Sequence, residues 1–144
     1  MNERTIARAV IFRGERVLLL RRAPDQRVAP GAWQCPAGKQ EPGEAIEDTL
    51  ARELHEETGL EVVSAVPLGV TSSEFEADGR PTTWHQHSFL VDATDGDVVL
   101  SREHNDFRWV PLAELVDFAD LSPQVRSAIA RGLAAREHER ATRT

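Results

Sequence analysis

Apolar and polar positions divide this chain into several short extended segments and two helical ones. Residues 5–12 and 16–22 flank the polar triplet Arg13-Gly14-Glu15 and predict two strands about a glycine turn. Val17-Leu18-Leu19-Leu20 has no polar interruption, which predicts a strand at the centre of a sheet. Residues 23–33, with Pro24, Pro30 and Gly31, read as a loop leading to a short segment at 33–36. A glycine turn at Gly38, kept extended through Pro42-Gly43, precedes a helix from about Ala45 that Thr58-Gly59 stops. Residues 60–75 and 83–93 then predict strands joined by a turn at 77–81, and Asp95-Gly96-Asp97 makes a further turn. Residues 107–110 form a final strand, and Pro111 breaks the chain before a short helix around Leu115. Ser122-Pro123 opens the last helix with an N-cap and a proline at its first position, and Val125, Ile129 and Leu133 give it one apolar face. The charged segment from about residue 137 reads as a frayed tail.

The first helix breaks its own pattern. With Glu53 as the origin of a 100° step, Ile46 falls near about 20°, Glu57 near about 40°, Leu50 near about 60°, Leu54 near about 100° and Glu56 near about −60°. Two glutamates therefore border or interrupt the apolar stripe. A buried carboxylate without a partner costs several kcal/mol or takes up a proton, and no cationic side chain of this helix is spaced to neutralise both Glu53 and Glu57. The positive charge must come from outside the helix. A hard divalent cation with oxygen ligands fits: Mg2+ prefers a few carboxylates and completes its shell with water and substrate phosphate oxygens.

The pattern Gly38-x5-Glu44-x7-Arg52-Glu53-Leu54-x-Glu56-Glu57-x-Gly59-Leu60 resembles the box that defines the Nudix hydrolases, matching nine specified positions over 23 residues. Trp33-Gln34-Cys35-Pro36-Ala37-Gly38 is similar to that family's approach to its box, and the likeness extends with uneven strength from about residue 5 to 115. The resemblance implies an α/β/α sandwich with a mixed β-sheet. It also implies attack of water on a phosphorus atom of a nucleoside diphosphate linked to another moiety, with Mg2+ as cofactor and Mn2+ as a substitute. It makes Glu53, Glu56 and Glu57 the metal ligands, with the Gly38 carbonyl a further one. Arg52 orients the glutamates or simply pairs with Glu56 four residues on. Glu44 is a water-bridged or outer ligand, or a carboxylate favoured by the helix dipole. Glu53 is the expected base, assisted by Glu103, whose segment Glu103-His104-Asn105-Asp106-Phe107-Arg108-Trp109 resembles the corresponding loop and strand of MutT-like members.

Other polar landmarks leave two readings each. Arg21, Arg22 and Arg27 neutralise phosphates or are strand-end surface charges. Trp33 stacks on a base or packs in its loop. His85 and His87 share one strand face, lining the substrate cleft or standing half-exposed. His104 is a proton shuttle or an exposed loop histidine, and Cys35 reads as a buried inert thiol. Asp120 lies where some MutT-like members contact the base.

Substrate follows by elimination within the resemblance. Glu76 stands where ADP-ribose hydrolases carry a proline, the chain has no tyrosine to match the diadenosine polyphosphate hydrolases, and no coenzyme A signature is present. Nucleoside triphosphate pyrophosphohydrolases remain, releasing pyrophosphate and a monophosphate. The alternatives are a Nudix-like regulator that binds nucleotide without cleaving it, and the isopentenyl-diphosphate isomerase branch, which needs a reactive cysteine in the cleft.

Composition adds bounds. With 144 residues, 40% of them hydrophobic, and no internal repeat, the chain suits one domain. A net charge of −7 without a basic run argues against nucleic-acid duplexes and anionic membranes as partners. One cysteine, no signal-like amino terminus and no membrane-length apolar run point to the cytoplasm. An apolar helix face near the carboxy terminus packs on the body or on a second copy in a homodimer.

Overall fold

The computed structural model describes residues 2–118 and 121–143. Its first sheet is mixed and four-stranded, in the order β5 (Ala37–Lys39), β1 (Asn2–Val10), β7 (Arg80–Ala93), β6 (Val62–Ala77). β1 runs parallel to β7, and the β1–β5 and β6–β7 pairs are antiparallel. A second, antiparallel sheet is built on β3 (Arg16–Arg22), which pairs with β2 (Phe12–Arg13), β4 (Trp33–Gln34) and β8 (His104–Pro111). The apolar run at 17–20 is central to that sheet, and all four residues are buried.

Helix α1 (Ile46–Thr58) and helix α2 (Pro123–Thr142) cover opposite faces, and the strand alternation shows how. Ala7, Ala9, Ile11, Leu18, Leu20, Phe89 and Val91 pack with Leu50, Leu54 and Leu60 on the α1 side. Val10, Val17, Leu19, Trp33, Cys35 and Val110 pack with Val125, Ala128 and Ile129 on the α2 side. Successive strand residues serve opposite layers, so both faces must be apolar and both must be covered. The result is an α/β/α sandwich.

Several expectations need correction. The first strand is not simply the hairpin partner of the second: β1 pairs with β5 and β7, and only Phe12–Arg13 pairs with β3, because the chain changes sheets at Ile11. Gly38 lies within strand β5 rather than in a turn. The carboxy-terminal segment is helical through Thr142 rather than frayed. It is held by Arg136, a buried side chain that donates to the Gly14 carbonyl at 2.5 Å and lies 4.6 Å over the Phe12 ring. The buried face of α2 is Val125, Ala128, Ile129, Gly132 and Arg136, with Leu133 only half-buried. The β6–β7 connection is tighter than expected: Asp78 and Gly79 both have positive φ, 52° and 74°, as a two-residue hairpin of right-handed twist requires. The short helix around Leu115 is a 3-10 helix, Leu112–Asp117.

Candidate active site

The glutamate cluster is assembled by α1 lying against β5 and β1. Gly59 ends the helix in the left-handed conformation, φ 75°, with its N–H donating to the His55 carbonyl at 2.9 Å. The stripe that this helix buries is Thr49, Leu50, Leu54, Glu57 and Thr58. Glu57 is only 1% exposed. Its Oε1 accepts from the Ala37 N–H at 3.3 Å, and its Oε2 is buried without a partner. Burial above all, then a hydrogen bond that the protonated Glu57 donates to Glu53 and the charges of Glu53 and Glu103, push the Glu57 carboxyl up to about 10. Glu103, an exposed residue of the loop before β8, therefore comes near the cluster.

Gly38 faces this cluster for a reason other than turn geometry. A Cβ there would stand 2.0 Å from Cδ and 2.2 Å from Oε2 of Glu53, so only glycine lets β5 approach that carboxylate. The Glu53 side chain is 15% exposed and the Glu56 side chain 54%, which places Glu56 on the outer flank.

Arg52 ties the acidic groups together. Its Nε and Nη2 donate to Glu44 at 2.8 and 3.0 Å, its Nη1 to Glu53 at 2.8 Å and Glu56 at 3.4 Å, and Nη2 also to the Lys39 carbonyl at 3.0 Å. Both readings of Arg52 are thus present in its geometry. Glu44 is held further: its Oε1 also accepts from the Thr49 hydroxyl at 2.7 Å and the Glu41 N–H at 3.1 Å. The Arg52 hydrogen bond first, then those of Thr49 and Glu41, hold its carboxyl down at about 2.

The cluster suits a divalent cation on three counts. A buried Glu57 oxygen lacks any partner, the strand facing Glu53 is pared to a glycine, and the donors are hard oxygens. Among the described residues no three His, Cys, Asp or Glu side chains converge as a ready-made cage. Glu53 and Glu57 lie side by side, within hydrogen-bonding reach of each other.

The structure does not gather the other candidates at this cluster. Trp33 is buried in the α2-side core, edge-on to Phe118 with centroids 5.5 Å apart, and Arg108 covers its ring at 4.9 Å; the base-stacking reading gives way to packing. Arg22 donates to the Val28 carbonyl at 2.6 Å and to Gln26 at 3.2 Å, bracing the loop instead of offering a free cation. Arg21 is exposed, with one weak bond to the Gly31 carbonyl at 3.4 Å, and Arg27 is exposed. His87 shares a ladder row with Ala7 and Gly38, which sets it two strand spacings, about 10 Å, from Gly38. His85 is held between Ser72 at 2.9 Å and Glu3 at 3.1 Å. His104 is neither exposed nor free to shuttle protons: it is 4% exposed, and burial, then Arg22, lower its pKa to about 4. Cys35 is buried on the α2 side and pushed up to about 12 by that burial, which removes the nucleophile that the isomerase alternative requires. Asp120 lies outside the described residues.

Two polar residues drew no expectation from sequence. Thr49 sits inside the apolar stripe, and its only advance sign was a hydroxyl five positions after Glu44. Arg8 is buried on the α2 face, donating to Gln86 at 2.8 Å and Ser88 at 3.5 Å, and strand alternation alone gave it no partner. An open recess of about 470 Å3, lined by residues 3–5 and 39–44, adjoins the Arg52 clamp. Glu53, Glu56 and Glu57 do not line it, so the carboxylates rather than the recess locate the chemistry.

The NUDIX domain model matches residues 3–132. The chain belongs to the Nudix family. A Nudix protein of Escherichia coli O81 (strain ED1a), nucleoside triphosphatase NudI, is 32% identical over 136 residues, which covers 90% of this chain and 96% of that protein. Among solved Nudix structures, the MutT NUDIX hydrolase from Burkholderia pseudomallei superposes with a TM-score of 0.78 at 27% identity, covering 91% of this chain and 98% of that one. The MutT protein from Methanosarcina mazei Go1 gives 0.76 at 28% identity, covering 94% and 96%. This chain, with every defining position of the Nudix box present, is a Nudix hydrolase. No helix among the described residues is long and apolar enough to cross a membrane.

Proposed function

We propose that this Nudix hydrolase is a Mg2+-dependent pyrophosphohydrolase of nucleoside triphosphates, with Mn2+ as a substitute, releasing a monophosphate and pyrophosphate in the cytoplasm. The observation that carries the reading is Glu57, a buried carboxylate with one oxygen unpartnered and a second carboxylate beside it. Such a pair takes up a proton or a cation. The activity named for the E. coli relative supports a triphosphate substrate, and the MutT structures support the same reaction class.

Glu53, Glu56, Glu57 and the Gly38 carbonyl would hold the ion. A bound divalent cation neutralises phosphate charge and lowers the pKa of a water molecule. Arg52 takes one oxygen of Glu53, and the other, Oε2, faces Gly38 and would accept the proton of the attacking water. Glu103 assists from the loop before β8. Arg21, exposed at the end of β3, supplies a cation for the phosphate chain.

The test is a panel of normal and oxidised nucleoside triphosphates, nucleotide sugars and dinucleoside polyphosphates, assayed with Mg2+ and with Mn2+, products identified. Triphosphates are expected to give monophosphate and pyrophosphate in equal amounts. Glu53→Gln should lower turnover by at least about 100-fold with the fold intact. Cleavage confined to other substrates, or full activity in Glu53→Gln, would overturn the reading.

A further inference from the structure

The Arg52 clamp does not end at Glu44. Glu44 has two oxygens to present to a guanidinium, and which way they face decides where the third nitrogen of the fork points. Nε and Nη2 engage Glu44 at 2.8 and 3.0 Å, and the rigid plane of the group then sends Nη1 to Glu53 at 2.8 Å. Whatever fixes Glu44 therefore fixes Glu53.

Two donors other than Arg52 do so. One is the Glu41 backbone N–H at 3.1 Å, which loop 41–44 supplies with any side chain. The other is the Thr49 hydroxyl at 2.7 Å, on a residue with no solvent exposure. Thr49 Oγ1 also lies 3.2 Å from the Ala45 carbonyl, an acceptor already engaged by the N–H groups of Asp48 and Thr49. One hydroxyl carries one proton, and the shorter, ionic contact to Glu44 is the stronger claim on it. A threonine at a wholly buried position of an apolar stripe is otherwise hard to account for, since valine has its shape and no polar atom to bury.

We propose that Thr49 is a positioning residue for the metal-binding carboxylates, acting through Glu44 and Arg52 on Glu53. The inference rests on the reading of Glu53 as ligand and base. Its predicted consequence is separable from substrate binding: loosening Glu44 lets the guanidinium swing, and Glu53 loses its fixed approach to Gly38 while the nucleotide's own contacts stay.

Thr49→Val removes the hydroxyl and keeps the volume; Thr49→Ser restores the hydroxyl and gives up a methyl group. In Thr49→Val, Mn2+ binding to the nucleotide-free protein, followed by the paramagnetic signal of free Mn2+, should weaken about tenfold, and kcat at subsaturating Mg2+ should fall about tenfold. KM for the nucleotide at saturating metal and the thermal midpoint should stay close to the wild-type values. Thr49→Ser should recover most of both losses. Unchanged Mn2+ binding in Thr49→Val, or a loss in Thr49→Ser as large as in Thr49→Val, would overturn the inference, the second because it would make the methyl group's packing the cause. Glu53→Gln assayed alongside separates the two failures: a silent Thr49→Val with an inactive Glu53→Gln removes only the positioning role, whereas an active Glu53→Gln removes the reading beneath it.

Discussion

Glu57 is where stability and chemistry pull apart. At 1% exposure its carboxyl meets one backbone N–H, Glu53 and nothing for Oε2, so the metal-free fold bears the cost of an incompletely satisfied polar group. Glu57→Gln keeps the size of the side chain and brings a neutral amide that can donate to Glu53. In chelator the variant is expected to be more stable than the parent by about 1–2 kcal/mol, while turnover falls by at least about 100-fold. Thermal melts in EDTA together with product release check both signs. A variant that melts below the parent would show that Glu57 contributes to the fold instead of straining it. This opposition is the usual signature of a site selected for function at some expense in stability.

At the scale of elements, α1 was readable because its signals are local: a carboxylate-rich box, an apolar stripe and a left-handed glycine stop all lie within one segment. α2 was readable at its start, where the Ser122 hydroxyl accepts from the Val125 N–H at 3.2 Å, and misread at its end. The run Arg136-Glu137-His138-Glu139-Arg140 looks solvated, yet Arg136 folds back on Gly14, Glu15 and Phe12, a contact across more than a hundred residues. Gly132 shows the same dependence on a distant strand. A Cβ there would lie 2.8 Å from Cγ1 and 3.3 Å from Cβ of Val10, so the helix crosses β1 at close range. Helix propensity favours alanine over glycine by about 1 kcal/mol, but the clash is with a β-branched side chain that has little freedom to move. Gly132→Ala is expected to destabilise by about 1–2 kcal/mol in urea unfolding; a gain in stability would mean that α2 shifts away from β1 without cost.

For the molecule as a whole, the buried His104 sets a pH dependence. Its folded pKa is depressed to about 4, by burial and then by Arg22, below the ordinary histidine value of about 6.5. The unfolded chain therefore binds this proton first, and the contribution of this group falls as pH drops from about 6.5 to about 4, by up to roughly 3 kcal/mol; Glu57, raised to about 10, acts in the opposite sense, favouring the metal-free fold as pH falls from about 10 to about 4.5. Glu44, held down at about 2, acts in a lower window: its contribution is present above the ordinary carboxylate range and is lost as pH falls from about 4.5 to 2. His104→Phe should remove the His104 loss, so that its stability relative to the parent rises as pH falls from about 6.5 to about 4, and leave the lower window unchanged. Urea midpoints measured every half unit of pH test this, and an unchanged slope between 6.5 and 4 would assign the acid sensitivity to other groups.

What the sequence determined by itself is local chemistry in continuous segments: the helix that carries Glu53, Glu56 and Glu57, the glycine that ends it, the central strand at 17–20, the family of the fold. Each follows from residues close together in the chain, where periodicity, capping and side-chain type act without help from elsewhere. Tertiary structure alone decided which sheet β1 joins, that Gly38 is spared a Cβ for the sake of Glu53, that Thr49 steadies Glu44, and that Trp33 and His104 are buried. Those outcomes depend on how closely distant segments approach and on what water they exclude, and neither distance nor dielectric is written in the order of residues along a chain.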